Sequence, residues 1–359
     1  MSATTTGART IWAFVFEDDG AYAQEPGDPA DSEFKPFGDR EQINEPSSEN
    51  NSETLYRPFS RQPTGYLEGR FEGSAGVDFI YTNPYWLAFV MGQPDVTEVT
   101  PDEEYTLNYE FSQDSVPATG QVIEETHYPN GDVGQTVYLG VMCDGMSVDV
   151  DVDGEVEVSM DWAFADERNY DDATTSPIGE IGTQPDTNHC PLHFGNANLL
   201  LDLNNDGTAE EQGRVQSVSF DFNVTAEIEG ELGTRFGTVP SFLEVEPNIT
   251  YQKYLEATEP DRERRSVYGS QEVISGEDYY APLEDMCGDT DVNIAGRLKL
   301  ESRDETNSLM LMFGESFPES YQRTNTGDPE SALEDDVERN VHSLTATATT
   351  DFDPTPTSP

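Results

Sequence analysis

The chain has 359 residues, with 72 Asp or Glu against 18 Lys or Arg and a formal charge of −54 at neutral pH. A field of that sign repels phosphate, which excludes direct gripping of nucleic acid and binding to an anionic membrane surface. No apolar run approaches the roughly 18 residues of a spanning helix, and residues 1–10 lack the charged and apolar pattern of a secretory leader.

Acidity alone could mean disorder. Here 35% of residues are hydrophobic, and 18 Phe, 16 Tyr and 3 Trp supply a sizeable core. The carboxylates are dispersed along the chain, and Lys35, Lys253 and Lys299 are its lysines. That pattern fits a folded surface kept hydrated in very high salt. The rival reading is a protein that binds cations or polycations. Cys143, Cys190 and Cys287 are too few and too widely spaced for a disulfide framework, so they are expected as free thiols.

The dominant period along the chain is two, which predicts a β protein. Residues 10–17 read as a first strand with two apolar faces, Ile11, Ala13 and Val15 against Trp12, Phe14 and Phe16. A polar connection follows over 20–63, longer than a compact domain usually carries. Alternation resumes over 66–81. Residues 83–92 predict a short helix: Asn83 caps, Pro84 suits the first turn and Gly92 stops it. Its body is apolar all round, as in a plug set against a sheet.

Strand patterns then occupy 104–111, 121–128, 134–143, 146–152 and 155–164. Asn130-Gly131, Asp144-Gly145 and Asp153-Gly154 are read as the tight turns between them. Residues 166–213 are expected to be an irregular insertion. Beyond them lie a long strand at 215–229, with Val218, Phe220, Phe222 and Val224 inward, and strands at 241–245, 248–255, 265–273, 291–302, 308–313 and 341–350. Residues 333–339 read as a helical turn, and the Pro/Thr-rich 351–359 as a loose tail.

No nucleophile elbow, phosphate-cradling loop or His-Glu-x-x-His pair is present, and four histidines leave little room for a catalytic base. The chain is therefore expected not to be an enzyme, and no motif requires a cofactor. Two clusters have the residue types of a metal site. His189, Cys190 and His193 offer three ligands within five residues, one short of a structural zinc site. Asp202, Asn204, Asp206, Thr208 and Glu210, with Gly207 between, resemble the start of a loop for Ca2+ or Mg2+. That loop has Gly213 where the bidentate acid belongs. A solvated Asn-Asp-Gly turn is the alternative. The alternating Asp149, Asp151 and Asp153 read first as the wet face of a half-buried strand.

The order of these features resembles the tail tube proteins of tailed viruses, in particular those infecting haloarchaea. The resemblance is carried by 65–92 with its apolar helix, by the hairpin series 105–164 with Asp144-Gly145-Met146-Ser147-Val148, by 215–240 ending in Gly233-Thr234-Arg235-Phe236-Gly237-Thr238-Val239-Pro240, and by the strand pair 292–313. It implies a β-sandwich or barrel with a flanking helix. Residues 1–165 and 214–350 would form that domain, 20–63 would reach the neighbouring ring, and 166–213 would be an extra insertion that carries the candidate cation sites. It further implies six subunits per ring, rings stacked into a hollow tube, and passage of viral DNA without specific binding. The implied partners are further copies of the chain and the tape measure, baseplate and terminator proteins, with no membrane. The implied location is the virion tail, and the host cytoplasm during assembly. The alternative is a cation-dependent surface or secreted β-sandwich module of a halophile.

Overall fold

The computed structural model describes residues 9–17, 22–23, 34–50, 53–55, 65–67, 71–100, 104–111, 116–152, 154–179, 181, 190–202, 208–230, 237–254, 295–324 and 334–350. The strand expected at 265–273, the start of that at 291–302, Cys287 and the tail 351–359 lie outside these residues. The chain is mainly β. Its strands are β1 Arg9–Phe16, β2 Asp39–Asn50, β3 Glu53–Leu55, β4 Gly65–Leu67, β5 Phe71–Ile80, β6 Asp95–Thr100, β7 Glu104–Glu110, β8 Gly120–His127 and β9 Val133–Asp151. After these come β10 Val156–Phe164, β11 Asp166–Tyr170, β12 Asn198–Leu201, β13 Glu210–Glu211, β14 Val215–Gly230, β15 Gly237–Tyr254, β16 Gly296–Glu301, β17 Ser308–Thr324 and β18 Glu334–Thr350. One short helix, α1 (Ala88–Met91), continues a 3-10 turn at Tyr85–Leu87. Among the described residues no helix is long and apolar enough to cross a membrane.

β1 is buried on both faces, as its double apolar pattern predicts. Trp12, Phe14 and Phe16 pack into the main core, while Ile11 and Ala13 join Ile123, Val137, Leu139 and Ile178 in a second cluster. β1 pairs antiparallel with β8 from Arg9↔His127 to Phe16↔Gly120. β8 pairs with the first half of β9, and β11 takes that strand's other edge. These strands make a small sheet in the order β1-β8-β9-β11.

β9 then enters a second sheet. Asp144-Gly145 is not the hairpin turn its sequence suggests: β9 runs on for 19 residues, and the dipeptide forms a bulge. Trp162 of β10 faces Cys143 and Asp161 faces Gly145, so Asp144 is the extra residue. Its carboxylate accepts a hydrogen bond from the Ala226 N–H of β14, four residues beyond Phe222, the last β14 residue paired with β9. A strand edge that would stand open is thereby plugged.

The second sheet runs β17-β18-β15-β14-β9-β10-β5-β2. Part of the polar connection expected over 20–63 is strand, because Asp39–Asn50 pairs along β5. The predicted helical turn at 333–339 is likewise strand, since Asp335 to Asn340 pair with β15 on one side and β17 on the other. β18 is shared as β9 is. Past Asn340 it leaves β15, and Thr345 to Thr350 pair with β7 instead. The bend falls at Ser343, whose φ is 60°, an uncommon conformation for a residue with a side chain. Beyond the bend a third sheet runs β13-β12-β16-β17-β18-β7-β6. The segment 166–213 is therefore not wholly irregular: β11, β12 and β13 are paired strands.

The last two sheets face each other. Leu199 and Leu298 on one line a cavity together with Val150 and Val218 on the other, and the inward residues of both belong to one core. The helical plug closes the space towards the small sheet. Phe89 meets Phe14 and Phe16, and Phe37 bridges from Phe14 to Trp162. Asn83 holds the plug in place. Its Oδ1 accepts from Tyr85 N–H at 3.3 Å, and its amide donates to the carbonyls of Pro36 and Phe37. Gly92 ends the plug at φ 83°, where an added Cβ would lie 2.8 Å from the Val116 carbonyl.

Glu17 fixes the chain leaving β1. Its Oε1 accepts from the N–H groups of Ala23 and Gly140 at 3.0 and 3.2 Å. Burial pushes its pKa up from 4.5 to about 7, against the opposing effect of hydrogen bonds from Thr119, Gly140, Ala23 and Gln121.

Two predictions follow from these contacts. Phe14→Ala, which opens the aromatic layer where the plug meets β1, should cost about 3–5 kcal/mol in chemical denaturation. Wild-type folding retains a proton on Glu17, so it should lose stability as pH rises from 4.5 through about 7. Glu17→Gln should remove that slope, its denaturation midpoint gaining on wild type across the window and holding a constant lead above it.

Candidate functional site

Neither sequence-predicted metal cluster is assembled by the described residues, among which no three His, Cys, Asp or Glu side chains converge for a metal ion. His189, Asn204 and Asp206 lie outside those residues. Asp202 is buried at the end of β12, its N–H donating to the Ala295 carbonyl. Glu210 is exposed on β13, opposite Leu201, and Thr208 is exposed just before it. The hairpin thus brings Asp202 and Glu210 to its two arms.

Cys190 is a half-buried free thiol. His193 caps the 3-10 turn Phe194–Asn196, its Nδ1 accepting from Gly195 N–H at 3.0 Å. The ring packs on Phe194, and Nε2 lies 3.2 Å from the Arg303 guanidinium. A cation that close opposes a metal at the same nitrogen. The observed role of His193 is to tie 190–197 to the β16–β17 turn.

The distinctive surface is the outer face of the second sheet. Alternation on β14 sends Val218, Phe220 and Phe222 into the core and leaves Ser219, Asp221 and Asn223 outside. Antiparallel register aligns equivalent positions on each neighbour. Asp221 stands between Ser147 of β9 and Asn248 of β15, and Asn248 stands beside Asn340 of β18. One residue pair along, Ser219 lies between Asp149 and Thr250, which faces Glu338. The face is therefore a lattice of carboxylates separated by hydroxyls and amides. Among the described residues, the outward positions of β10, β9, β14, β15 and β18 from Glu157 to Asn340 carry no Lys or Arg.

The spacers tie the lattice down. Ser147 Oγ donates to Asp149 at 2.7 Å, Ser219 Oγ to Asp221 at 3.2 Å, Gln252 to Asp336 at 2.9 Å, and Asn248 to Glu338 at 3.3 Å. Asp221 carries the electrostatic cost. Partial burial raises its pKa above the ordinary value, the Asp149 charge raises it further, the Ser219 hydroxyl opposes this, and Glu338 adds to it. Asp149 and Glu338, on the neighbouring strands β9 and β18, thus both repel the Asp221 carboxylate. Such a face can hold cations in a diffuse layer and turn polyanions away.

The raised pKa means that wild type loses stability as pH climbs from the ordinary Asp value through the raised one. Asp221→Asn should then be more stable than wild type at pH 7, by under about 1 kcal/mol. The advantage should vanish in acid and shrink in molar salt, measured as the shift in denaturation midpoint.

Sequence reasoning saw the alternation on β14 but not this lattice, because the register that sets Asp149, Asp221 and Glu338 side by side is a long-range property. The signal available was the shared sequence of outward Ser, Asn and Asp at every second position.

Comparison with known proteins bears on the first two-thirds of the chain. No curated protein matches the chain. Among solved structures, a chain of the cryo-EM structure of the anti-feeding prophage (AFP) baseplate, 6-fold symmetrised, is similar at 13% identity and a TM-score of 0.26, over 46% of this chain and 96% of that one. A family model described as phage tail tube protein matches residues 7–252, which takes in β1 to β14, most of β15 and the acidic face except for its β18 edge, and on that match the chain belongs to the phage tail tube protein family.

Proposed function

We propose that six copies of this chain close into a ring, that rings stack into the hollow tail tube of a virus with a salt-loving, haloarchaeal host, and that the acidic face lines the channel through which DNA passes. Family membership supports a structural, non-enzymatic part of the virion tail. The observation that carries the finer reading is the acidic face itself. A channel wall must not hold the phosphates that slide past it, and a wall of carboxylates without bases repels them.

The long strands suit ring closure. β14, β15, β18 and β17 have 16, 18, 17 and 17 residues and lie side by side in the order β14-β15-β18-β17. Among the described residues, β17 from Glu315 to Thr324 pairs only with β18, because β16 stops opposite Phe313. An edge of that length is a template for a strand of the next copy, and cyclic closure removes the hazard of leaving it open. Like-charged faces can approach only when salt screens them, which ties assembly to a saline medium. The arm that reaches the next ring is 20–63, which takes in β2 and β3. The tape measure would occupy the channel, with baseplate and terminator proteins at the ends, and assembly would take place in the host cytoplasm. No resident cofactor takes part.

Negative-stain electron microscopy of the purified protein in multimolar KCl should show rings or hollow tubes of uniform width. Replacing 56–64 by Asn-Gly should leave a folded subunit that makes rings without tubes. Unimpaired tubes would remove the arm assignment. The channel assignment has its own test. Tubes carrying Asp149→Arg, Asp221→Arg and Glu338→Arg should retain duplex DNA in a salt-dependent manner, whereas wild-type tubes should not. Equal retention by both would place the acidic face outside the channel.

A further inference from the structure

The end of β1 is built around one carboxylate oxygen. β8 and β9 fall out of register beside it: Gly120 faces Val141 and Val122 faces Tyr138, so Leu139 and Gly140 together stand opposite Gln121. An extra residue of this kind leaves the ladder with an N–H to spare. Gly140, at φ 64°, gives its N–H to Glu17 Oε1 at 3.2 Å. Ala23, at φ 50°, gives its own N–H to the same atom at 3.0 Å. Tyr22 lies over the glycine, its hydroxyl donating to the Gly140 carbonyl at 3.2 Å and standing 3.5 Å from Met142 Sδ. The fit is close, since a Cβ at Gly140 would come within 2.9 Å of both Ala23 Cβ and the Tyr22 ring. Glu17 Oε2 is shut off from solvent.

We infer that Glu17 is a proton-controlled latch: its neutral carboxyl keeps Tyr22 and Ala23 seated on Gly140, and its ionised form opens locally to water and unseats them. An uncharged carboxyl is cheap to bury, whereas a carboxylate without a cation is not. Thr119, Gln121, Gly140, Tyr22 and Ala23 face this one, and the Tyr22 hydroxyl is the one titratable group they carry. No charged group contributes to the perturbation of Glu17, which burial raises from 4.5 to about 7. Closure is therefore complete in acid and weakens as pH climbs through that window. Lifting two residues is enough to hydrate the carboxylate, so the sheets beneath need not open. The latch lies at the inner end of 20–63, and its release frees the root of the segment proposed as the arm. It does not depend on that assignment.

The test is hydrogen–deuterium exchange of the full chain in molar KCl from pH 5 to 8, expressed as protection factors so that the direct effect of pH on chemical exchange divides out. The Ala23 and Gly140 amides should lose protection by roughly 10- to 100-fold over that range, while the amides of β14 keep theirs. Glu17→Gln should hold Ala23 and Gly140 protected at every pH. Flat protection in wild type, or the same loss in Glu17→Gln, would overturn the latch. A loss shared equally by β14 would overturn it in favour of global unfolding. Should the glutamine variant not fold, Tyr22→Phe carries the test. It removes a bond that holds the closed form, so protection should be lower at every pH with the same slope, and a slope that disappears with the hydroxyl would overturn the role of Glu17.

Discussion

Everything in this fold depends on β9 serving two sheets. Its first half pairs with β8 and β11, and its second half with β10 and β14. A regular strand could not do so, because its hydrogen bonds would hold it in one surface. The extra residue at Asp144 turns the strand and keeps Cys143 and Met146 inward on either side of the bend. The price is a gap beside β14, and the Asp144 carboxylate covers it through Ala226. β18 solves the same problem with a left-handed Ser343. Two bent strands thus replace the loops that would otherwise join three sheets, and the aromatic plug fills the space they enclose.

The acidic face follows from the same geometry. Once β9 and β18 are shared, β9, β14, β15 and β18 lie in one continuous surface with their outward residues in register. Close carboxylates are unfavourable, as the raised pKa of Asp221 records. They are tolerated because seryl, threonyl and amide groups stand between them and because salt weakens their repulsion. The core beneath contributes nothing to that choice, since the inward residues are those of any well-packed sandwich.

Much of the fold was legible because it is written in local periodicity. β1, the plug from Asn83 to Gly92, β8, β10 and β14 stand where alternation and capping place them. What misled was punctuation. Asp144-Gly145 has turn chemistry but forms a bulge, and whether a dipeptide turns or bulges is decided by the strands on either side. The strands expected at 241–245 and 248–255 are one strand, β15, and Pro247 within it sits one residue past the last β18 pair, at Asn248, where a missing N–H costs no ladder bond on that side. The strand expected over 308–313 runs on as β17 to Thr324, with a bulge beside Pro318. β2 was hidden because Asp39–Asn50 has few apolar residues, and its strand character comes from the partner β5. The metal clusters were read from residue type alone. For His193, tertiary contacts with Gly195 and Arg303 supply a role that spacing could not reveal.

The sharing of β9 also has a mechanical consequence. A pull applied along its axis does not meet the sheets in sequence. It loads the backbone hydrogen bonds to β8, β11, β10 and β14 together and in shear, so many must fail at once before the strand can slip. Peeling an edge strand such as β6 would instead break its bonds one at a time. The fold is therefore stiff along the long strands and compliant at its rim, an anisotropy that follows from the continuity of a single 19-residue strand.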